Sequence, residues 1–143
     1  MKISDHFTLE EYIPPEIFKL AGEKAVSFIS ERLILGNEKL RRTLGKSITI
    51  NNWKSGGDFK NSGLRSWSCK EGAKFSDHKY GHATDLKVDG MHSFEVQKFL
   101  ADHWLEYNMF FTAIEKGTDG WTHVSDRYIP GWDKSKPFWI PIQ

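Results

Sequence analysis

His78 and Asp85 stand seven positions apart in Ser76-Asp77-His78-Lys79-Tyr80-Gly81-His82-Ala83-Thr84-Asp85-Leu86, and His123 follows in Trp121-Thr122-His123-Val124, with Glu115 shortly before it. Two imidazoles and a carboxylate suit zinc, which in hydrolases takes three protein ligands and keeps a fourth position open, whereas magnesium and calcium prefer all-oxygen shells. The set constrains the fold strongly, because the chain must return from residue 85 to residue 123 and bring the two segments side by side. Glu115 is then left over as a base. Gly81, between the first two ligands, permits the sharp turn that their short spacing needs.

The surrounding patterns supply elements for such a site. Ile17, Leu20, Ala21, Ala25, Phe28, Ile29 and Leu33 recur at three- and four-residue steps, which predicts an amphipathic helix over Pro14–Leu44. Ser47–Ile50 alternates and is β-branched, so it reads as a first strand, and residues 55–58 break it into a loop. Residues 66–82 read as a loop that carries ligands, and Ala83–Val88 as a strand ending at Asp89-Gly90. A second helix begins with Ser93 as N-cap and Glu95 in its first turn, and places Val96, Phe99, Leu100 and His103 on one face. Phe110–Glu115 and Trp121–Ser125 flank Lys116-Gly117-Thr118-Asp119-Gly120 as a hairpin. Pairing 115 with 121 sets 113 against 123 and Glu115 diagonal to His123 on the same face. The tail, with Pro130, Pro137 and Pro141, reads as an irregular strap that ends in an edge strand.

At 143 residues the chain fits one domain, 1–143, which buries roughly two thirds of the surface its unfolded form exposes, so no disulfide or structural metal is needed for folding. The net charge of +1, from 20 basic and 19 acidic residues spread along the chain, lacks the one-sided basic footprint of a nucleic-acid binder. The single cysteine, Cys69, forms no internal disulfide. No apolar run reaches the roughly 18–20 residues of a membrane span, and the N-terminus has no apolar signal core. The expectation is therefore a monomer made in the cytoplasm without a signal peptide and without membrane insertion. Six Trp and ten Phe are mostly packing groups, with one or two of the Trp free to line a substrate groove.

A zinc ion on His78, Asp85 and His123 lowers the pKa of its water toward roughly 7, with Glu115 as the group that takes the proton and passes it to a leaving amine. Amide hydrolysis is the expected chemistry. The developing oxyanion calls for a positive partner, and Arg65, in Ser62-Gly63-Leu64-Arg65-Ser66, is the first candidate, with a plain ion-pair role as its alternative. His82 is a second candidate donor, or else a hydrogen-bonded supporting residue. Arg65, Ser76, His82 and Trp121 make up the expected substrate contacts.

The pattern Ser76-x-His78-x-x-Gly81-x-Ala83-x-Asp85-Leu86, followed by Glu115 and Trp121-x-His123, resembles the zinc D-alanyl-D-alanine carboxypeptidase family, which shares a superfamily with lysostaphin-type peptidases and the hedgehog signalling domain. Asp5-His6-Phe7-Thr8-Leu9-Glu10-Glu11 and Ser62–Ser66 are also similar to phage and bacterial members. The resemblance implies that His78, Asp85 and His123 hold the zinc, that Glu115 is the catalytic base and that Arg65 contacts the substrate. It implies an α+β fold, a small single domain whose central antiparallel sheet carries the zinc site and is flanked by helices. The implied partner is the peptidoglycan stem peptide, cut as by a D-Ala-D-Ala carboxypeptidase or an L-Ala-D-Glu endopeptidase. The protein then acts on the cell wall after release, as an endolysin or a virion lysin. A different class of function, a zinc-bearing module that binds cell wall or a partner without cutting, is implied by the hedgehog-type relatives. The stretch Arg65-Ser66-Trp67-Ser68-Cys69 and the insert-like Asn51–Phe59 depart from the family's pattern and leave the scissile bond open.

Overall fold

Alternation along a strand sends Ala83, Asp85 and Lys87 to one face of a sheet and Thr84, Leu86 and Val88 to the other. The structure, a computed structural model, describes residues 1–141. Five strands, β1 (Ile48–Thr49), β2 (Ala83–Val88), β3 (Ala113–Glu115), β4 (Thr122–Ser125) and β5 (Phe138–Ile140), form one sheet in the order β1-β2-β4-β3-β5. The pairs β1–β2, β2–β4 and β3–β4 are antiparallel, as expected for the centre. The sheet as a whole is mixed, because β5 joins β3 in parallel. The tail turns back after β4 and crosses to the far side of β3; since β3 and β4 already run in opposite directions, the returning strand runs with β3.

Four α-helices accompany the sheet: α1 (Pro15–Ala21), α2 (Glu31–Leu44), α3 (Ser93–Asp102) and the single turn α4 (Trp104–Tyr107). The fold is thus α+β with helices against the sheet, as the sequence predicts. The long helix expected over Pro14–Leu44 is broken, however. Gly22 takes φ 57° and ends α1, a 3-10 stretch covers Gly22–Phe28, and Ile29 and Ser30 are extended before α2. The apolar period runs through the break, so it hides a tertiary requirement: the Ser30 amide donates to the carbonyl of Gly81 at 3.0 Å. Gly81 has φ 75°, and a Cβ there would stand 1.7 Å from the Phe28 carbonyl oxygen. Only glycine meets both conditions.

Helices α2 and α3 cover one face. Asn37 of α2 donates to Thr84 Oγ1 at 3.0 Å and to the Tyr12 hydroxyl at 3.1 Å, and Thr122 Oγ1 donates to the Ser93 carbonyl at 3.3 Å. Leu33, Leu40, Leu86, Val96, Leu100, Ile114 and Val124 fill the space between, joined by Phe7, Leu9 and Tyr12 from the N-terminal segment. Each such side chain contributes about 1.5–3 kcal/mol on full burial. The α3 cap lies one residue earlier than expected: the His92 ring accepts from the Phe94 amide at 3.1 Å while Glu95 accepts from the His92 amide at 3.2 Å. Ser93 instead donates to the Thr118 carbonyl at 2.7 Å. Among the described residues no helix is long and apolar enough to cross a membrane.

The β3–β4 register differs from the expected one by two residues, with Ala113 opposite Ser125 and Ile114 opposite Val124. Continuing that register sets Glu115 directly across from His123. A slip of two keeps every side chain on its original face, so Glu115 and His123 still share one surface. Trp121 falls in the connecting loop instead of the strand.

Candidate metal centre

Asp85 of β2 is the register partner of His123 of β4, so with Glu115 three chemistry-bearing side chains lie in one row across the face that the helices leave free. His78 reaches them from a 3-10 turn, Asp77–Tyr80, whose entry is capped by Ser76 Oγ accepting from the His78 amide at 3.3 Å. Gly81 ends the turn in the left-handed region and feeds the chain into β2. Seven residues of sequence thereby close into neighbouring ligand positions, as the spacing predicts.

His78 Nε2 stands 3.2 Å and His123 Nδ1 3.0 Å from the same Asp85 Oδ1, and the two rings meet edge to face at 4.9 Å. His78, Asp85 and His123 form a possible metal-binding cluster whose ligand atoms all lie within 4.8 Å of one another. His78 is oriented from behind: its Nδ1–H donates to the Gly63 carbonyl at 2.8 Å, since a carbonyl only accepts. Gly63 is itself fixed against the N-terminal segment, where a Cβ would come 2.3 Å from the Tyr12 carbonyl oxygen.

That orientation creates an electrostatic conflict. With Nδ1 holding the proton, the neutral ring of His78 points its Nε2 lone pair at an Asp85 oxygen, so two acceptors face each other. A proton or a cation resolves the conflict. His78 is 2 % exposed, and burial pushes its pKa below the ordinary value, further than Asp85 lifts it. Burial also works against a charge on Asp85, but the two imidazoles outweigh it and hold that carboxyl far below the usual range. An ionised carboxylate with two neutral nitrogens is the form in which this set binds a divalent metal, and the residues fit one.

The expected surrounding residues divide. Glu115 lines the cleft next to the cluster, its Oε2 3.8 Å from His123 Nδ1, and among the described residues no hydrogen bond engages its carboxylate. Ser76 and Trp121 line the cleft as well. Arg65 does too, yet it is 9 % exposed and spends its donors inside the protein: Nε to the Asn61 carbonyl at 2.7 Å, Nη1 to the Glu71 carbonyl at 3.2 Å, and Nη2 to Asp85 Oδ2 at 3.4 Å. It holds the oxygen of Asp85 that the histidines do not face. His82 is not brought to the site. Strand parity puts it on the opposite face from Asp85, where its Nδ1 meets Asp126 Oδ1 at 2.7 Å and Ser30 Oγ donates to Asp126 Oδ2. Of its two readings, the supporting role agrees with this geometry.

The cleft encloses about 340 Å³ and also takes in Glu71, Phe75, Asp77, Arg127 and Ile140, none of which the sequence reading singled out. For Arg127 a signal existed: it continues the alternation of His123 and Ser125. Among the described residues no fourth His, Cys, Asp or Glu joins the cluster at ligand spacing. No family model, curated protein or solved structure matches the chain.

Proposed function

We propose that the protein is a zinc peptidase that hydrolyses an amide bond in peptidoglycan stem peptides, of D-Ala-D-Ala carboxypeptidase or L-Ala-D-Glu endopeptidase type. One observation carries the reading: the Glu115 carboxylate, free of hydrogen bonds among the described residues and 3.8 Å from His123 Nδ1, lies beside a three-residue cluster in an open cleft. Ligand atoms about 2.0–2.1 Å from a tetrahedral zinc stand about 3.3 Å apart, close to the 3.0 and 3.2 Å between the imidazole nitrogens and Asp85 Oδ1. Zinc in such a place supplies Lewis acidity at the scissile carbonyl and makes water a better nucleophile near neutral pH.

The protein's own groups do the rest. As the water oxygen bonds to the carbonyl carbon, Glu115 accepts its proton; the same carboxyl then delivers that proton to the amide nitrogen as the C–N bond breaks, leaving a carboxylate and an amine. Arg65 is a positioning residue, keeping Asp85 aimed at the cluster. Trp121 and Ser76 offer an apolar face and a hydroxyl to the peptide at the rim of the cleft. The resemblance to phage lysins favours action on the wall after release from a cell or from a virion.

Zinc-loaded protein and Glu115→Ala are to be incubated with peptidoglycan sacculi and the released fragments identified by mass spectrometry. The expected result is release by the parent and a loss of roughly a hundredfold or more in the variant. Equal release by the two overturns the assignment of the base. Retention on sacculi by both, with no new amine or carboxyl ends, establishes the non-cutting binding module instead.

A further inference from the structure

Two arginines line the metal cleft, and they are held in opposite ways. Arg65 is buried and three of its donor groups are committed within the protein. Arg127 has a fixed backbone and a head held only at one edge. Its amide donates to Ser125 Oγ at 3.1 Å and its carbonyl accepts from Thr112 Oγ1 at 2.6 Å. Its guanidinium makes one long ion pair, Nε to Asp77 Oδ2 at 3.6 Å, and stands 5.5 Å from the centre of the Phe138 ring. Among the described residues no hydrogen bond engages either of its Nη atoms, and its side chain is 38 % exposed into the cleft that holds the cluster.

A guanidinium that is anchored through Nε and braced on an aromatic face, with both Nη groups open, is arranged to take a carboxylate with two parallel hydrogen bonds. Asp77 is a weak competitor, because its Oδ2 already accepts from Ser125 Oγ at 3.0 Å. Position also matters. Arg127 follows His123 by four residues along one chain direction, so about 13 Å separates their backbones at a strand's rise, and the long side chain lines the same cleft. Arg65 and Arg127 are the arginines of the cleft lining, and it holds no lysine.

We propose that Arg127 is the specificity residue of this cleft, an anchor for a free carboxylate on the peptide whose backbone crosses the metal cluster. The inference rests on the peptide-hydrolysis reading for the identity of the ligand, and it favours substrates that end in an ionised carboxylate close to the bond that is cut. Arg65, buried and with each of its three nitrogens already engaged within the protein, is unsuited to that task.

The test measures binding, which separates it from catalysis. Zinc-loaded protein carrying Glu115→Gln, which removes turnover, is titrated calorimetrically with a synthetic stem peptide ending in a free carboxylate and with the same peptide ending in an amide. The carboxylate form is expected to bind about tenfold or more tightly, and adding Arg127→Gln erases that preference by weakening the carboxylate form alone. Arg127→Lys, which keeps the charge and loses the fork, recovers part of it. Zinc affinity is unchanged in both variants, which shows that they remain folded. A preference that survives Arg127→Gln, or its absence from the parent, overturns the proposal. Arg127-dependent binding in a protein that releases nothing from sacculi leaves the anchor standing and removes the peptidase.

Discussion

Two histidine–aspartate clusters sit on opposite faces of the sheet, with His82 just before β2 and Asp85 within it, and they are built to different ends. On the helix-covered face each Asp126 oxygen has its own donor, Ser30 Oγ for one and His82 Nδ1 for the other. On the free face one Asp85 oxygen confronts two imidazole nitrogens, and the proton of His78 is already committed to Gly63. The first cluster is satisfied, so it clamps the start of α2 to the end of β4. The second is short of a positive charge at its centre and opens onto a cleft. A buried polar group without a partner is costly unless something else supplies one. The pair shows that a histidine beside an aspartate says little until donors and acceptors are counted.

The largest effect expected from this contrast is on metal affinity. Asp85→Ala removes a ligand and should weaken zinc binding by more than about a hundredfold, the upper end of what the loss of a mere supporting partner costs. Asp126→Ala should change zinc affinity less than twofold while lowering stability by about 1 kcal/mol, since it removes the hydrogen-bond partner of the half-buried Ser30 hydroxyl and of the half-exposed His82 ring. Competition with a chromophoric chelator and urea unfolding read the two quantities. Equal losses of zinc affinity would erase the distinction between the faces.

The His78, Asp85 and His123 cluster was legible because metal binding restricts residue types, and because the β2 pattern and Gly81 fix how His78 and Asp85 approach. The other features depended on contacts between distant segments. Nothing local in Pro14–Leu44 announces that residues 28–30 must pass against Gly81. The direction of β5 depends on where the tail crosses the sheet, and the two-residue register offset depends on how many residues the 116–121 loop absorbs. His82 could have been placed from sequence, since carrying the alternation of Ala83–Val88 back by one residue sets it on the face away from Asp85.

Gly81 joins the two faces, so it sharpens the comparison next. Gly81→Ala forces a left-handed φ of 75° on a residue with a Cβ and drives that atom onto the Phe28 carbonyl, against the segment whose Ser30 belongs to the back cluster. The expected cost is about 3 kcal/mol or more in urea unfolding, accompanied by weaker zinc binding because the same turn carries His78. Loss of stability with zinc affinity intact would show that the ligand turn is independent of the clamp.

The smallest effect concerns how the two faces orient their carboxylates. Asp126 is held by a hydroxyl and an imidazole, whereas the outer oxygen of Asp85 is held by a buried guanidinium that also ties Asn61 and Glu71 carbonyls together. A lysine at position 65 carries the same charge but is a point donor on a flexible stem and cannot span three acceptors in fixed directions. Arg65→Lys is therefore expected to let Asp85 rotate and to lower zinc affinity by about tenfold, with carboxylate-ended peptide binding at saturating zinc left within about twofold of the parent. The opposite outcome, intact zinc affinity and weakened peptide binding, would make Arg65 a substrate contact. The division of labour between a positioning arginine at the cluster and a receiving arginine at Arg127 would then fail, because both would be answering to the ligand.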